Sequence, residues 1–192
     1  MPTLLGIHGS VTRPGRLYQA LQLALQPSGE QWEPVTTSLL HLGDHRISFA
    51  DGRALSDYPD DTEAVVERVM AADMYLIATP IYRGSFTASL KNLLDLVPVE
   101  GLMGKVCGLV AMGATDHHYL AIDSQLRPVL AWFSTHLVPG GVYLQSRQFQ
   151  DGKLADADAI AGLHSLASSV IAMQRATAGN DETVGPPPLA SR

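Results

Sequence analysis

The sequence predicts an α/β fold, a five-stranded parallel sheet in the order 2-1-3-4-5 with helices on both faces. Three observations carry that expectation. Short apolar runs bounded by turn residues recur near residues 3–8, 33–38, 74–79, 105–112 and 137–144. Most of the intervals between them hold helical periodicity, with helices expected near 16–26, 62–71, 86–96, 122–135 and 156–174, and strands joined through helices pair in parallel. The third observation is placement: the two loops that look built for a ligand follow the first and third runs, the strands flanking the switch point of such a sheet.

The first run, Leu4-Leu5-Gly6-Ile7, leads straight into Gly9-Ser10-Val11-Thr12-Arg13-Pro14-Gly15-Arg16 and then into the helical run Leu17 to Leu25. Such a turn aims backbone N–H groups, the Ser10 and Thr12 hydroxyls and the positive end of a helix at one point, with Arg13 and Arg16 adding full charges, which suits a phosphate. Neither the Lys-Ser/Thr closure of a Walker loop nor the Gly-x-Gly-x-x-Gly dinucleotide fingerprint is present, so the phosphate expected is a mononucleotide's. An ordinary loop with solvated arginines explains this segment alone equally well. After the second strand, His41, Asp44 and His45 lack a fourth ligand at zinc-like spacing and read as loop residues. Ser10 does not sit in a Gly-x-Ser-x-Gly elbow, which sets a hydrolase aside.

The third run, Met74-Tyr75-Leu76-Ile77-Ala78, continues into Thr79-Pro80-Ile81-Tyr82-Arg83-Gly84-Ser85-Phe86 and an amphipathic helix. The fourth carries the single cysteine, Cys107, which has no disulfide partner and reads as a small core residue. It ends in Gly113-Ala114-Thr115-Asp116-His117-His118-Tyr119, where Gly113 and Thr115 suit a turn; adjacent histidines do not share a helix face as an i, i+4 metal pair would. From Ala178 onward apolar periodicity stops and Pro186-Pro187-Pro188 follows, so residues 1–177 are read as one domain and 178–192 as a mobile proline-rich tail.

Composition narrows the function classes. The chain has 192 residues, 46% hydrophobic and 17% charged, as expected of one folded domain with a single core. A net charge of −6 disfavours nucleic acid or an anionic membrane as partner and makes the two loop arginines a local exception. No apolar stretch has the length of a membrane helix and the N-terminus lacks a signal-peptide pattern, so a cytoplasmic location is expected.

Together the two loops resemble the NADPH-dependent FMN reductase family of flavodoxin-like proteins. In that family Gly-Ser-x-x-Arg, here Gly9-Ser10-Val11-Thr12-Arg13, holds the FMN phosphate, and Thr-Pro-x-Tyr, here Thr79-Pro80-Ile81-Tyr82, lies with the residues after it against the isoalloxazine ring. The resemblance covers most of residues 3–143 and implies a flavodoxin-like fold, FMN as cofactor, NADPH or NADH as hydride donor, and no catalytic side chain, the hydride chemistry being the flavin's. It assigns cofactor contacts to Ser10, Thr12, Arg13, Arg16 and Leu17, to Pro80, Ile81, Tyr82, Arg83, Gly84 and Ser85, and to Gly113, Thr115, Asp116 and His118.

Leu102-Met103-Gly104-Lys105-Val106 and the stretch from Gly113 to Asp123, with Leu126-Arg127-Pro128-Val129-Leu130, are further similar to the subgroup that feeds reduced flavin to alkanesulfonate monooxygenases. In some members an extra tyrosine makes a π-bulge linked to oligomer switching; the stretch from Ala114 to Leu130 is one residue shorter here, which implies an ordinary α-helix. The leading expectation is therefore an NAD(P)H-dependent FMN reductase serving a partner monooxygenase. A quinone, azo or chromate-type reductase with fixed FMN, and a flavodoxin-like electron carrier, are the alternatives. Apolar residues on the helices from Phe86 to Leu96 and from Ile122 to Phe133 predict a homodimer or a tetramer made of dimers.

Overall fold

A computed structural model describes residues 1–26 and 34–186 of the chain. β1 (Thr3–His8), β2 (Thr36–His41), β3 (Met74–Pro80), β4 (Val106–Gly113) and β5 (His136–Gln145) form one parallel sheet in the order β2-β1-β3-β4-β5. The crossovers are α1 (Arg16–Ala24), α2 (Thr62–Ala71), α3 (Ala88–Leu96) and α4 (Arg127–Ala131); α5 (Ala157–Thr177) closes the domain after a small antiparallel hairpin, β6 (Phe149–Gln150) and β7 (Lys153–Leu154).

Strand side chains alternate between faces, and the register keeps β1, β3 and β4 in phase. Leu4, Met74, Leu76, Ala78, Val106 and Val110 all pack toward α1 and α5. Leu5, Ile7, Tyr75, Ile77, Cys107 and Leu109 pack toward α2, α3 and α4. The helices answer with matching stripes: Leu17, Ala20, Leu21 and Ala24 on α1 and Thr62, Val65, Val66 and Val69 on α2 are buried at i, i+3, i+4 and i+7. Cys107 is wholly buried in this core, and burial pushes its thiol up to about 12. No helix among the described residues is long and apolar enough to cross a membrane.

Three expectations are corrected. The second strand is Thr36–His41, a few residues later than 33–38, because its apolar end is Leu39-Leu40 and its ladder runs from Thr3↔Thr36 to His8↔His41; Glu33 lies outside the described residues. His41 is thus a buried strand end and not a loop residue. The region 122–135 does not form an ordinary α-helix: Ile122–Leu126 is a π-helix, followed by α4. Pro128 has no N–H to give the carbonyl of Ser124, which frees the ladder to widen there, while Ile122 and Leu126 both stay buried. Arg127 fastens the junction, its guanidinium bonding Asp123 Oδ1 at 2.6 Å and the carbonyls of Val138 and Pro139 at 2.9 and 2.6 Å. Those carbonyls belong to an irregular stretch of the edge strand β5, where the register with β4 shifts between Cys107 and Leu109.

Of the segment set apart from Ala178, residues 187–192 lie outside the described residues; the Thr183 hydroxyl is 3.0 Å from His136 Nε2. Gly108 lets α5 reach the sheet, since a Cβ there would lie 2.7 Å from Val170 Cγ2 and 2.9 Å from Leu76 Cδ2. Gly108→Ala is expected to lower stability by about 1–3 kcal/mol in denaturant unfolding, with a smaller penalty in a Val170→Ala background. An unchanged unfolding midpoint would contradict this packing.

Candidate functional site

The carboxyl ends of β1, β3, β4 and β5 share one edge of the sheet, where the first loop and the β3–α3 loop are bound to each other. Gly9 N donates to Ala78 O at 2.8 Å, and Gly9 O accepts the hydroxyls of Thr87 and Ser89. Thr87 also caps α3, accepting from Leu90 N at 3.2 Å, and its own N–H bonds Thr79 Oγ1 at 3.3 Å. A side chain at position 9 would meet Leu90 Cβ at 3.0 Å and Ala78 O at 3.2 Å, so only glycine brings the loops this close.

Within the first loop the Ser10 and Thr12 hydroxyls are 2.9 Å apart, and Thr12 N donates to Ser10 Oγ at 3.2 Å. α1 starts at Arg16 with Gly15 as cap; no side chain caps it and its first turn holds no acid, so its N–H groups face the loop. Arg16 Nη1 donates to Ser146 Oγ at 2.9 Å, and its guanidinium lies 6.0 Å from the Phe149 ring centroid. A cavity of about 260 Å³ brings together Ser10, Thr12, Arg13, Arg16, Leu17, Pro80 and Tyr82, with His8, Gly15 and Met112 completing its wall. This donor set, two hydroxyls, two guanidinium groups and an uncapped helix start, fits a phosphate monoester.

The β3–α3 loop turns on two residues. Tyr82 and Ser85 exchange backbone hydrogen bonds at 2.9 and 3.2 Å while Arg83 (φ 54) and Gly84 (φ 80) are both left-handed, a tight turn that holds Arg83 at its tip. Tyr82 stands 54% exposed beside it. Ile81 points the other way, into the core, and joins β4 through its N–H to Met112 O at 2.8 Å.

The residues after β4 stand beside this cavity and not in its wall. Gly113 is required by Tyr143, whose hydroxyl would lie 1.9 Å from a Cβ at that position and which donates to Thr115 O at 2.6 Å. Asp116 pairs with Arg147 at 3.0 Å, and the Arg147 hydrogen bond and charge hold its carboxyl below the usual range. His118 is half-buried in the short turn Asp116–His118, whereas His117 is exposed.

Sequence reasoning missed four positions here. Ser146, Arg147 and Phe149 reach the site because a fifth parallel strand must end at the same edge, a signal available from the topology. His8 was visible only as a strand end. It is buried, its Nδ1 lies 2.9 Å from Nδ1 of buried His41, and Tyr18 meets both rings edge-on at 5.6 Å. Burial, with the His41 charge second, lowers His8 to about 4. On the far side of Ser10 and Thr12 a second cavity, about 390 Å³, is walled by Leu42, His45, Ile47, Phe49, Tyr82 and Asn92 among others.

Comparison with known proteins agrees with this geometry. The chain is 42% identical over 140 residues to the NAD(P)H-dependent FAD/FMN reductase of Geobacillus thermodenitrificans, covering 72% of this chain and 76% of that one. It is 36% identical over 153 residues to the NADH-dependent FMN reductase SfnF of Pseudomonas fluorescens, covering 77% and 79%. Among solved structures it superposes on apo NADH:FMN oxidoreductase (EMOB) with a TM-score of 0.68 and 26% identity, covering 100% of each chain. Residues 2–150 match the model of the family described as NADPH-dependent FMN reductase, and the chain belongs to that family.

Proposed function

We propose that the chain passes hydride from NADPH or NADH to FMN and releases reduced FMN to a flavin-dependent monooxygenase in the cytoplasm. The observation that carries the reading is the first loop: hydroxyls, arginines and an uncapped helix start converge at the switch point of an otherwise acidic chain. FMN, when bound, supplies the hydride chemistry. Arg13 and Arg16 neutralise its phosphate, and the Ser10 and Thr12 hydroxyls orient it. The turn Tyr82–Ser85 offers backbone amides to the polar edge of the ring, Tyr82 packs beside it, and the segment from Gly113 to His118 forms a rim whose height Tyr143 and Arg147 set.

An electron carrier would cover the ring with aromatic side chains and hold phosphate with neutral groups. The rim from Gly113 to His118 carries no Phe, Tyr or Trp, which leaves a face for a nicotinamide and favours the reductase. Release to a monooxygenase rests on the resemblance of Leu102–Val106 and Gly113–Asp123 to the alkanesulfonate-linked subgroup.

The reading that this chain self-associates is supported by a groove of about 470 Å³ between α3 and α4, lined by Leu94, Val97, Val129, Phe133 and the half-exposed Trp132. Covering it with a second copy gives a homodimer or a dimer of dimers. Sedimentation is expected to show a dimer or tetramer at micromolar concentration, and a monomer with and without FMN would overturn this assembly. Arg16→Ala is expected to weaken FMN binding tenfold or more, since a charge-assisted phosphate contact contributes roughly 1.5–3 kcal/mol. Unchanged FMN affinity in that variant would remove Arg16 from the phosphate site.

A further inference from the structure

One wall of the phosphate cavity is His8, which is hydrogen-bonded to buried His41 behind it, a pair that the hydride reaction does not use. His8 ends β1 and His41 ends β2 at paired register positions, both rings are 3% exposed, and their Nδ1 atoms share one hydrogen bond of 2.9 Å. Gly43 makes room for this arrangement, because a Cβ there would come 2.7 Å from His41 Nε2 and 3.0 Å from Val11 O of the loop above.

Proton counting limits what the pair can hold. The shared bond needs one Nδ1–H and one bare Nδ1, so two neutral rings satisfy it. A third ring proton fits on Nε2 of the donor ring with the bond kept and now charge-assisted. A fourth would set two N–H groups head to head. The pair therefore carries one positive charge at most.

Its surroundings decide when it does so. His8 touches His41 from β2 and Tyr18 from α1, and it shares the cavity wall with Arg13 of the loop, Arg16 of α1 and Tyr82 of the β3–α3 turn. Among the described residues no carboxylate lines this cavity. A charged His8 would thus share this cavity with two arginines and no protein counter-ion; burial, with the His41 charge second, lowers His8 to about 4. A dianion seated above the pair supplies the missing counter-charge in a site that excludes water.

We propose that the His8–His41 pair takes up a proton when a phosphate dianion occupies the first loop, making His8 a third, proton-gated cation of that site and a determinant of preference for FMN over riboflavin. The inference rests on the phosphate reading of the loop. With the bound-state proton affinity raised, FMN binding consumes a proton and weakens as pH rises through the bound-state value. The phosphate's own second ionisation, near 6, gives the opposite sign, because a cationic site favours the dianion and releases a proton.

Calorimetric titration of the full chain with FMN and with riboflavin, each in two buffers of different ionisation enthalpy, reads the proton directly. Net uptake is expected to rise as pH falls from about 8 to about 7, where the phosphate is already a dianion, and to stay below one proton per FMN as the phosphate's own release sets in toward about pH 6.5, with none for riboflavin. His8→Gln is expected to bind FMN about tenfold more weakly and without uptake. Should that variant not fold, the two ligands on the unaltered chain still decide the matter. FMN preference without uptake, equal uptake with riboflavin, or uptake that survives in His8→Gln overturns the role of His8. Equal affinity for FMN and riboflavin overturns the phosphate site and this proposal with it.

Discussion

Gly9 joins the two functional loops. Its N–H completes the contact to β3, its carbonyl takes the hydroxyls of Thr87 and Ser89, and its missing side chain lets Leu90 of α3 close over it. Because Thr87 is at once the cap of α3 and the partner of Gly9, the start of α3, the first loop and the end of β3 move as one unit. The donors of the first loop are thereby fixed relative to Tyr82 and its turn before any ligand arrives. Such preorganisation lets the Ser10 and Thr12 hydroxyls and the backbone donors of the loop act together with little ordering cost at binding.

Electrostatics gives that rigid edge its selectivity. The chain is acidic overall, yet no carboxylate lines the loop cavity among the described residues, and Asp116 after β4 is paired with Arg147. What remains is a local excess of positive charge over a helix start, with buried His8 in the cavity wall and its partner His41 behind it. An anion is the complement of that arrangement.

Much of this was legible in the sequence where a pattern repeats at the period of one element. The valines of 62–71 mark α2 to the residue, and Leu4 to Ile7 and Met74 to Ala78 mark strands buried on both faces. The site residues of the first loop and of Thr79–Ser85 were legible because turn chemistry is local. Other features depend on which residues meet across the fold. The pairing of His8 with His41 follows from strand register, the need for Gly113 follows from where Tyr143 lands, and a hairpin of two-residue strands at Phe149–Gln150 and Lys153–Leu154 has no periodicity to read. The widened turn at Ile122–Leu126 was missed because chain length was used as its marker, whereas Pro128 and the anchoring of Arg127 on β5 account for it.

The central claim is that NADPH or NADH reduces FMN on this chain across an open ring face. Anaerobic rapid mixing of the FMN-loaded protein with saturating NADPH or NADH tests it most directly, by following loss of the oxidised flavin absorbance. Bleaching within the dead time to seconds, with turnover in air sustained by added FMN, is the predicted result. A flavin that stays oxidised with both nucleotides would contradict the account.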